Sequence, residues 1–134
     1  MIKITDKPIS PEKVLNDAKT SGSGCVATYV GLIRDNSHDK AVASVEYTDA
    51  ENKGEAGLRK IAEEIKQKFP VESVSICHRI GKLKVGEINF VVAIGAAHRG
   101  EGFAACAYAV DRFKEQLPTV KKETYADGTV LNVD

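Results

Sequence analysis

The order of apolar and polar positions along the chain predicts a mixture of strands and helices. Runs that alternate or are continuously apolar predict strands over residues 2–5, 25–33, 41–47, 71–78 and 88–97. Apolar positions spaced by three and four predict three helices. The first begins at Pro11, the second covers residues 55–69, and the third runs from Phe103 to Pro118. The sequence therefore predicts helices that pack against a sheet.

The strand over residues 88–97 is nearly continuously apolar, so we predict that it is central and buried on both faces. The strands over residues 25–33 and 41–47 are predicted to form a hairpin across the polar loop between them. Gly31 marks either a bulge or a close approach of the backbone. The Asp127–Gly128 dipeptide predicts a tight hairpin further along the chain.

The first two helices carry clear boundary signals. Ser10 is the expected cap of the first helix, and Pro11 takes its first position. The second helix ends before Pro70, which cannot continue the backbone hydrogen bonds. Its apolar stripe consists of Leu58, Ile61, Ala62, Ile65 and Phe69.

A lysine falls within the apolar stripe of the third helix. The apolar positions are Phe103, Cys106, Ala107, Val110, Phe113 and Leu117. At about 100° per residue, Lys114 projects only about 20° from Phe103, so we predict that it lies near the middle of the buried face. In one interpretation its ammonium group reaches water from the last helical turn and complements the helix dipole. In the other, it is a partly desolvated nucleophile or acid/base.

Composition and element order predict an α+β protein, with helices packed on a mixed, largely antiparallel sheet. The chain has 134 residues, of which 43% are apolar and 28% charged, as in globular proteins. This length suits one domain over residues 1–134, with a substantial core.

Charge and cysteine content exclude several classes of function. Nineteen basic and nineteen acidic residues cancel, which argues against a general nucleic-acid or membrane binder. The chain has no apolar run of membrane-span length and no signal-peptide pattern at its start, so a cytoplasmic location is expected. Cys25, Cys77 and Cys106 are widely spaced, which favours small buried residues over a disulfide or a metal site.

Basic residues follow several predicted elements and are candidates for an anion site. These residues are Arg34, His98, Arg99, Lys114, Lys121 and Lys122. Arginine binds carboxylate or phosphate with a planar fork, and lysine supplies a point charge or a nucleophile. A solvated polar rim is the alternative, because connections between elements are usually polar.

No standard catalytic or nucleotide-binding motif accompanies these residues. The segment His98–Gly102 has neither the lysine spacing of a phosphate-binding loop nor the three-glycine dinucleotide pattern. Gly100 and Gly102 either form a turn or allow a ligand to approach the backbone. No serine-, cysteine- or carboxylate-based catalytic set stands out.

An ordered set of short segments nevertheless carries a family resemblance. The segments are Gly31-Leu32-Ile33-Arg34, Glu46-Tyr47, His78-Arg79-Ile80-Gly81-Lys82-Leu83, Gly86-Glu87, Ala97-His98-Arg99 with Phe103, Asp111-Arg112-Phe113-Lys114, Pro118 and Lys121-Lys122-Glu123. Together they resemble the MoaE family, the large catalytic subunits of molybdopterin synthase, from about Cys25 to Val130. The resemblance implies an α/β hammerhead-type domain within the α+β class.

The resemblance also implies a function and its partners. Such enzymes are sulfur transferases of molybdenum-cofactor biosynthesis that convert cyclic pyranopterin monophosphate to molybdopterin. The sulfur comes from the C-terminal Gly-Gly thiocarboxylate of a small ubiquitin-like subunit. Large subunits pair as a homodimer within a heterotetramer. No cofactor or metal is expected.

Site residues carry over by motif. Lys114 and Lys121 match the two lysines implicated in catalysis, while Arg34, His98 and Arg99 match residues of the pterin-phosphate pocket. We predict Lys114 as the acid/base or covalent group and Lys121 as the contact to the substrate or the partner's tail. Lys122 is predicted to join the substrate-binding residues.

Some features leave other functions open. Thr119-Val120 stands where many family members carry an aromatic residue, which puts one ligand contact in doubt. The alternative function is a non-catalytic module that binds an anion or a ubiquitin-like tail on the same fold. A nucleic-acid binder is less favoured, because no platform of aromatic and basic residues occurs.

Overall fold

The computed structural model describes residues 1–133 of the chain. Within them, the helices are α1 (Pro11–Ala18), α2 (Gly54–Lys68) and α3 (Arg99–Glu115). The strands are β1 (Ile2–Thr5), β2 (Cys25–Leu32), β3 (Asn36–Ser37), β4 (Lys40–Thr48), β5 (Ser73–Arg79), β6 (Gly81–Lys84), β7 (Ile88–Ala96), β8 (Val120–Tyr125) and β9 (Val130–Val133). The predicted α+β class is confirmed. No helix within residues 1–133 is long and apolar enough to cross a membrane.

The strands form two sheets. The first has the order β1-β5-β7-β2, in which β1 and β5 are parallel and the other pairs are antiparallel. The second has the order β3-β4-β8-β9, with β6 also paired to β4. As predicted, β7 is central, and residues 90–96 are buried.

The predicted hairpin between β2 and β4 is wrong, since the two strands belong to different sheets. β2 pairs with β7, whereas β4 pairs with β3, β6 and β8. The apolar strand β7 requires a hydrogen-bonded neighbour on each edge, and β5 and β2 supply them. The hairpin predicted at Asp127–Gly128 is confirmed: it joins β8 to β9, and Gly128 adopts a φ of 88°.

Helices cover both faces of the first sheet. α2 and α3 pack on one face, where Leu58, Ile65 and Ile94 belong to the largest apolar cluster. α1 packs on the other face through Val14 and Ala18. The predicted cap of α1 is confirmed, because the Ser10 hydroxyl accepts a hydrogen bond from the Lys13 amide.

The buried face of α3 differs from the predicted one. Its buried residues are Gly102, Ala105, Cys106, Ala109 and Phe113. Phe103 is 65% exposed and Lys114 is exposed, so the prediction that Lys114 lies amid a buried face is wrong. A Cβ atom added at Gly102 would lie 3.5 Å from the Ala96 Cβ atom, which shows how closely this helix approaches the sheet. The helix therefore packs against the sheet through the face that carries small residues. Such residues are only weakly apolar, so they do not stand out in a pattern of apolar positions.

Gly31 coincides with a bulge, which is one of the two outcomes predicted for it. Gly31 pairs with Phe90 and Leu32 pairs with Ile88, so Asn89 has no opposing residue in β2. Such an extra residue bends a strand and redirects its side chain. At this position the bulge brings Asn89 to a cleft between the two sheets.

Candidate active site

A cleft of about 730 Å³ lies between the end of β2, the inner face of the second sheet and the end of α3. Its apolar lining includes Tyr29, Ile33, Val45, Phe113 and Leu117. Its polar lining consists of Arg34, Asn36, Ser37, Tyr47, Asn89, Lys114, Lys121 and Glu123. The cleft therefore combines apolar walls with three cationic side chains.

Each of the three cations reaches the cleft from a different element. Arg34 follows β2, Lys114 lies in the last turn of α3, and Lys121 lies on β8. Arg34 and Lys114 are exposed, whereas the Lys121 side chain is only 30% exposed. The structure thus places Arg34 and Lys114 at the rim and Lys121 deeper.

A buried carboxylate fixes Lys121. The Lys121 Nζ atom lies 3.2 Å from Glu123 Oε1, and the Tyr125 hydroxyl donates to Glu123 Oε2 at 2.7 Å. Burial raises the pKa of Glu123, but hydrogen bonds from Tyr125, Ser37 and Lys121 outweigh it, so the pKa lies below its ordinary value. Glu123 is therefore ionised at neutral pH and holds the Lys121 ammonium group in the cleft.

Tyr47 and Asn89 form a second polar pair in the cleft. The Asn89 Nδ2 atom donates to the Tyr47 hydroxyl oxygen at 2.9 Å. Burial raises the pKa of Tyr47, so its phenol group stays protonated at neutral pH. Tyr47 is 4% exposed, so only a small part of this residue faces the cleft that it lines.

A buried histidine supports the segment between α3 and β8. The His78 Nδ1 atom lies 2.9 Å from the Asn89 carbonyl oxygen, which can only accept, so Nδ1 carries the proton. The His78 Nε2 atom consequently accepts from the Thr119 hydroxyl at 2.8 Å. Burial lowers the pKa of His78 to about 4, in agreement with this neutral tautomer. The bond anchors Thr119 between Lys114 and Lys121.

His98 and Arg99 do not reach the cleft within one chain. They follow β7, whose last residue Ala96 pairs with Cys25 at the start of β2, whereas the cleft lies where β2 ends. The eight residues of β2 span roughly 26 Å at about 3.3 Å per residue. The expectation that all six basic residues gather at one site of a single chain is therefore not met.

Lys122 also lies outside the cleft lining. Neighbouring residues of a strand point to opposite faces, and Lys121 takes the inner face of β8. The Lys122 Nζ atom lies 3.3 Å from Glu46 Oε1 on the outer face. The predicted substrate contact of Lys122 has no support from this geometry.

Sequence reasoning missed Tyr47, Asn89 and Glu123 as site residues. Glu123 carried a usable signal, because residues two apart on a strand share a face and Lys121 was already a candidate. Tyr47 belongs to the Glu46-Tyr47 segment of the family resemblance, but that segment gave it no role in a site. Asn89 carried no signal, since its meeting with Tyr47 depends on how the two sheets face each other. Within residues 1–133, no cluster of three histidine, cysteine or acidic side chains is suited to a metal ion.

The fold and cleft define an α+β protein with a site suited to an anionic ligand that also has an apolar or aromatic body. The profile of the MoaE protein family matches residues 4–116. The chain is 42% identical over 127 residues to the molybdopterin synthase catalytic subunit of Nostoc sp., covering 94% of this chain and 77% of that protein. The chain therefore belongs to the MoaE family.

Solved structures agree with this assignment. The crystal structure of molybdopterin synthase from Staphylococcus aureus has a TM-score of 0.91 and 29% identity, covering 99% of this chain and 96% of that chain. A protein–protein complex of subunits 1 and 2 of the molybdopterin-converting factor from Helicobacter pylori gives a TM-score of 0.75 at 16% identity, covering 98% of this chain and 89% of that chain. The latter likeness establishes a common fold only.

Proposed function

We propose that this chain is the catalytic subunit of a molybdopterin synthase, the sulfur transferase that converts cyclic pyranopterin monophosphate to molybdopterin. Membership of the MoaE family makes it an enzyme component of molybdenum-cofactor biosynthesis. The observation that carries the proposal is the convergence of Arg34, Lys114 and Lys121 on one apolar-walled cleft. Such a cleft suits a substrate with a phosphate group and a flat heterocycle.

The three cations take distinct roles in the proposed reaction. Arg34 binds the substrate phosphate at the rim, where a guanidinium group can engage two oxygens at once. Lys121, held by Glu123, binds the thiocarboxylate of the partner's tail or the substrate. Lys114 transfers protons or assists covalently as the sulfur moves. These roles follow the family match and fit the position of each side chain.

The proposed sulfur donor is the C-terminal Gly-Gly thiocarboxylate of a small ubiquitin-like subunit. Each transfer replaces one carbon–oxygen bond of the pterin substrate by a carbon–sulfur bond. The carbon–sulfur bond of the thiocarboxylate breaks, and water supplies the oxygen atom that leaves the tail of the partner as a carboxylate. The relative from H. pylori was solved as a complex of two subunits, which supports the expectation of a partner. We further propose a cytoplasmic location, in keeping with three free cysteines among the described residues.

A homodimer would bring His98 and Arg99 into the proposed site. β2 forms one edge of the first sheet, and its Val30 and Leu32 side chains are 38% and 56% exposed. Antiparallel pairing of β2 with β2 of a second copy places the start of one strand beside the end of the other. Because His98 and Arg99 lie near the start of β2, those of the second copy then approach Arg34.

Mixing two inactive variants tests this arrangement. Lys121→Ala and Arg99→Ala chains each lack one part of every site, but a mixed dimer contains one intact site. We expect each variant to be inactive alone and activity to return after the two are co-refolded. Failure of the mixture to recover activity, or a monomer in light scattering, would reject the dimeric site.

The main experiment combines the purified chain with a thiocarboxylated ubiquitin-like subunit and cyclic pyranopterin monophosphate, and measures the dithiolene product. Lys114→Ala and Lys121→Ala run beside Lys66→Ala, a control on the exposed side of α2. We expect product from the wild type and the control only. Binding of the subunit without product, under conditions where an established synthase works, would favour the non-catalytic binding module instead.

A further inference from the structure

The Tyr47 hydroxyl group has an unused proton in the cleft. It accepts a hydrogen bond from the Asn89 Nδ2 atom at 2.9 Å, which occupies a lone pair and leaves the O–H proton free to donate. Within residues 1–133, no group accepts a hydrogen bond from this hydroxyl group. The nearby Lys121 ammonium group has no lone pair to accept it.

The fold maintains this pair at some cost. The Asn89 Oδ1 atom is buried and has no hydrogen-bond partner among residues 1–133. A buried acceptor that lacks a partner has lost its hydrogen bonds to water without compensation and destabilises the fold. A Cβ atom at Gly31 would lie 2.6 Å from Asn89 Oδ1, so the side chain fits because residue 31 is glycine. The bulge in β2, Gly31 and the unpartnered Asn89 Oδ1 atom all belong to the arrangement that holds the Asn89 amide against the Tyr47 hydroxyl group.

The charge distribution of the cleft indicates which part of a ligand Tyr47 meets. Arg34 and Lys114 are exposed at the rim, whereas Tyr47 is buried and uncharged. A charged phosphate is held best by the cations at the rim. The aromatic ring of Phe113 and the Tyr47 hydroxyl are left for the neutral heterocycle, whose ring nitrogens and carbonyl oxygen accept hydrogen bonds.

We propose that Tyr47 is a substrate-contacting residue whose hydroxyl group donates a hydrogen bond to the pterin heterocycle, and that Asn89 is the positioning residue that directs this hydroxyl group. The inference rests on the proposed function and deepens it, because it names the part of the cleft that recognises the ring. Asn89 acts only through Tyr47. In this proposal the tail of the ubiquitin-like subunit contacts neither Tyr47 nor Asn89.

Three variants test the proposal. Tyr47→Phe removes only the hydroxyl group, and Asn89→Leu replaces the amide by an apolar group of similar size. The third variant combines both. Tyr108→Phe is the matched control, because its hydroxyl group donates to Glu64 of α2 and neither residue lines the cleft. Calorimetry with cyclic pyranopterin monophosphate measures binding without turnover, and the synthase assay measures kcat and KM.

Loss of one neutral hydrogen bond should weaken binding of the pterin about 5- to 10-fold, with a matching rise in KM and little change in kcat. The double variant should bind no more weakly than Tyr47→Phe, because Asn89 has no independent contact. Affinity for the ubiquitin-like subunit should stay unchanged. The double variant replaces both partners of the hydrogen bond by apolar groups, so its thermal unfolding should stay close to that of the wild type. A merely structural pair would leave KM unaltered in all three variants.

The outcomes separate this inference from the proposed function. If the wild type makes product and Tyr47→Phe binds the pterin normally, the inference alone is overturned. Weaker binding of the ubiquitin-like subunit by Tyr47→Phe would also overturn it. If the wild type binds the pterin through Tyr47 but makes no product, the proposed function fails and the inference stands. If the wild type does not bind the pterin, both are overturned.

Discussion

The Thr119 hydroxyl group donates a hydrogen bond of 2.8 Å to the imidazole of His78, within the segment that links Lys114 to Lys121. The same imidazole packs edge-on against Phe113, with 4.9 Å between ring centroids. A single buried side chain thus contacts both the helix that carries Lys114 and the turn that precedes Lys121. Burial lowers the pKa of His78, so the imidazole that makes these contacts is neutral, and the stability of this segment depends on the cost of charging it.

This dependence predicts a loss of stability in mild acid. Burial lowers the pKa of His78 to about 4, so between that value and its ordinary range the unfolded chain binds a proton that the folded chain does not. Stability is therefore highest above the unfolded pKa and falls as the pH drops. From neutral pH to pH 4.5 we expect a loss of about 2 kcal/mol from this group. Urea unfolding across this range measures it.

His78→Gln is the informative variant for this effect. We expect this variant to be less stable at neutral pH, since aromatic packing is lost. Between neutral pH and pH 4.5, however, its free energy of unfolding should fall by about 2 kcal/mol less than that of the wild type. His38→Asn, in an exposed turn where φ is 53°, should keep the slope of the wild type. Equal slopes for the wild type and His78→Gln would contradict the prediction.

Thr119→Val should reduce both stability and activity. The substitution keeps the shape of the side chain but leaves the buried His78 Nε2 atom without a donor, which typically costs about 1–3 kcal/mol. Thr119→Ser retains the hydroxyl group and should lose less. Chemical unfolding and the synthase assay on both variants measure the difference. If the valine variant were as stable as the serine variant, the hydrogen bond would have no structural value.

Gly31→Ala and Gly100→Ala should have opposite effects. A Cβ atom at Gly31 would lie 2.6 Å from Asn89 Oδ1, so the cleft must shift, and overpacking of this kind costs about 1–3 kcal/mol. A Cβ atom at Gly100 meets nothing within 4 Å. Alanine in the first turn of α3 should therefore stabilise the chain by up to about 1 kcal/mol. Thermal unfolding of the two variants measures these effects, and midpoints that shift in the same direction in both would contradict the prediction.

Lys121→Ala and Lys122→Ala test which face of β8 contacts the substrate. Lys121 lies in the cleft beside a buried carboxylate, so we expect its removal to lower kcat/KM by at least about 100-fold, equivalent to about 3 kcal/mol or more. Lys122 pairs with Glu46 on the outer face, where exposed pairs contribute about 0–1 kcal/mol. Its removal should change kcat/KM by no more than about threefold. A comparable loss in both variants would show that substrate also contacts the outer face.

Local pattern was sufficient for most of the secondary structure. The stripe of α2 and the Asp127–Gly128 hairpin were predicted correctly, because each depends on residues close together in the chain. The face of α3 was not, because close approach to the sheet favours Gly102 and Ala105 over the larger Phe103. The apolar character of a residue does not indicate how closely its helix approaches the sheet, and this distance decides which side chains fit between them.

The candidate site divides in the same way. The sequence by itself determined the α+β class, the family and the identity of Arg34, Lys114 and Lys121 as candidate cations, since these depend on local periodicity and ordered motifs. Only the tertiary structure decided that β2 pairs with β7, that His98 lies at the opposite end from the cleft, and that Tyr47 meets Asn89. Those relationships join residues far apart in the chain, and the packing of two sheets, which no local pattern encodes, sets them.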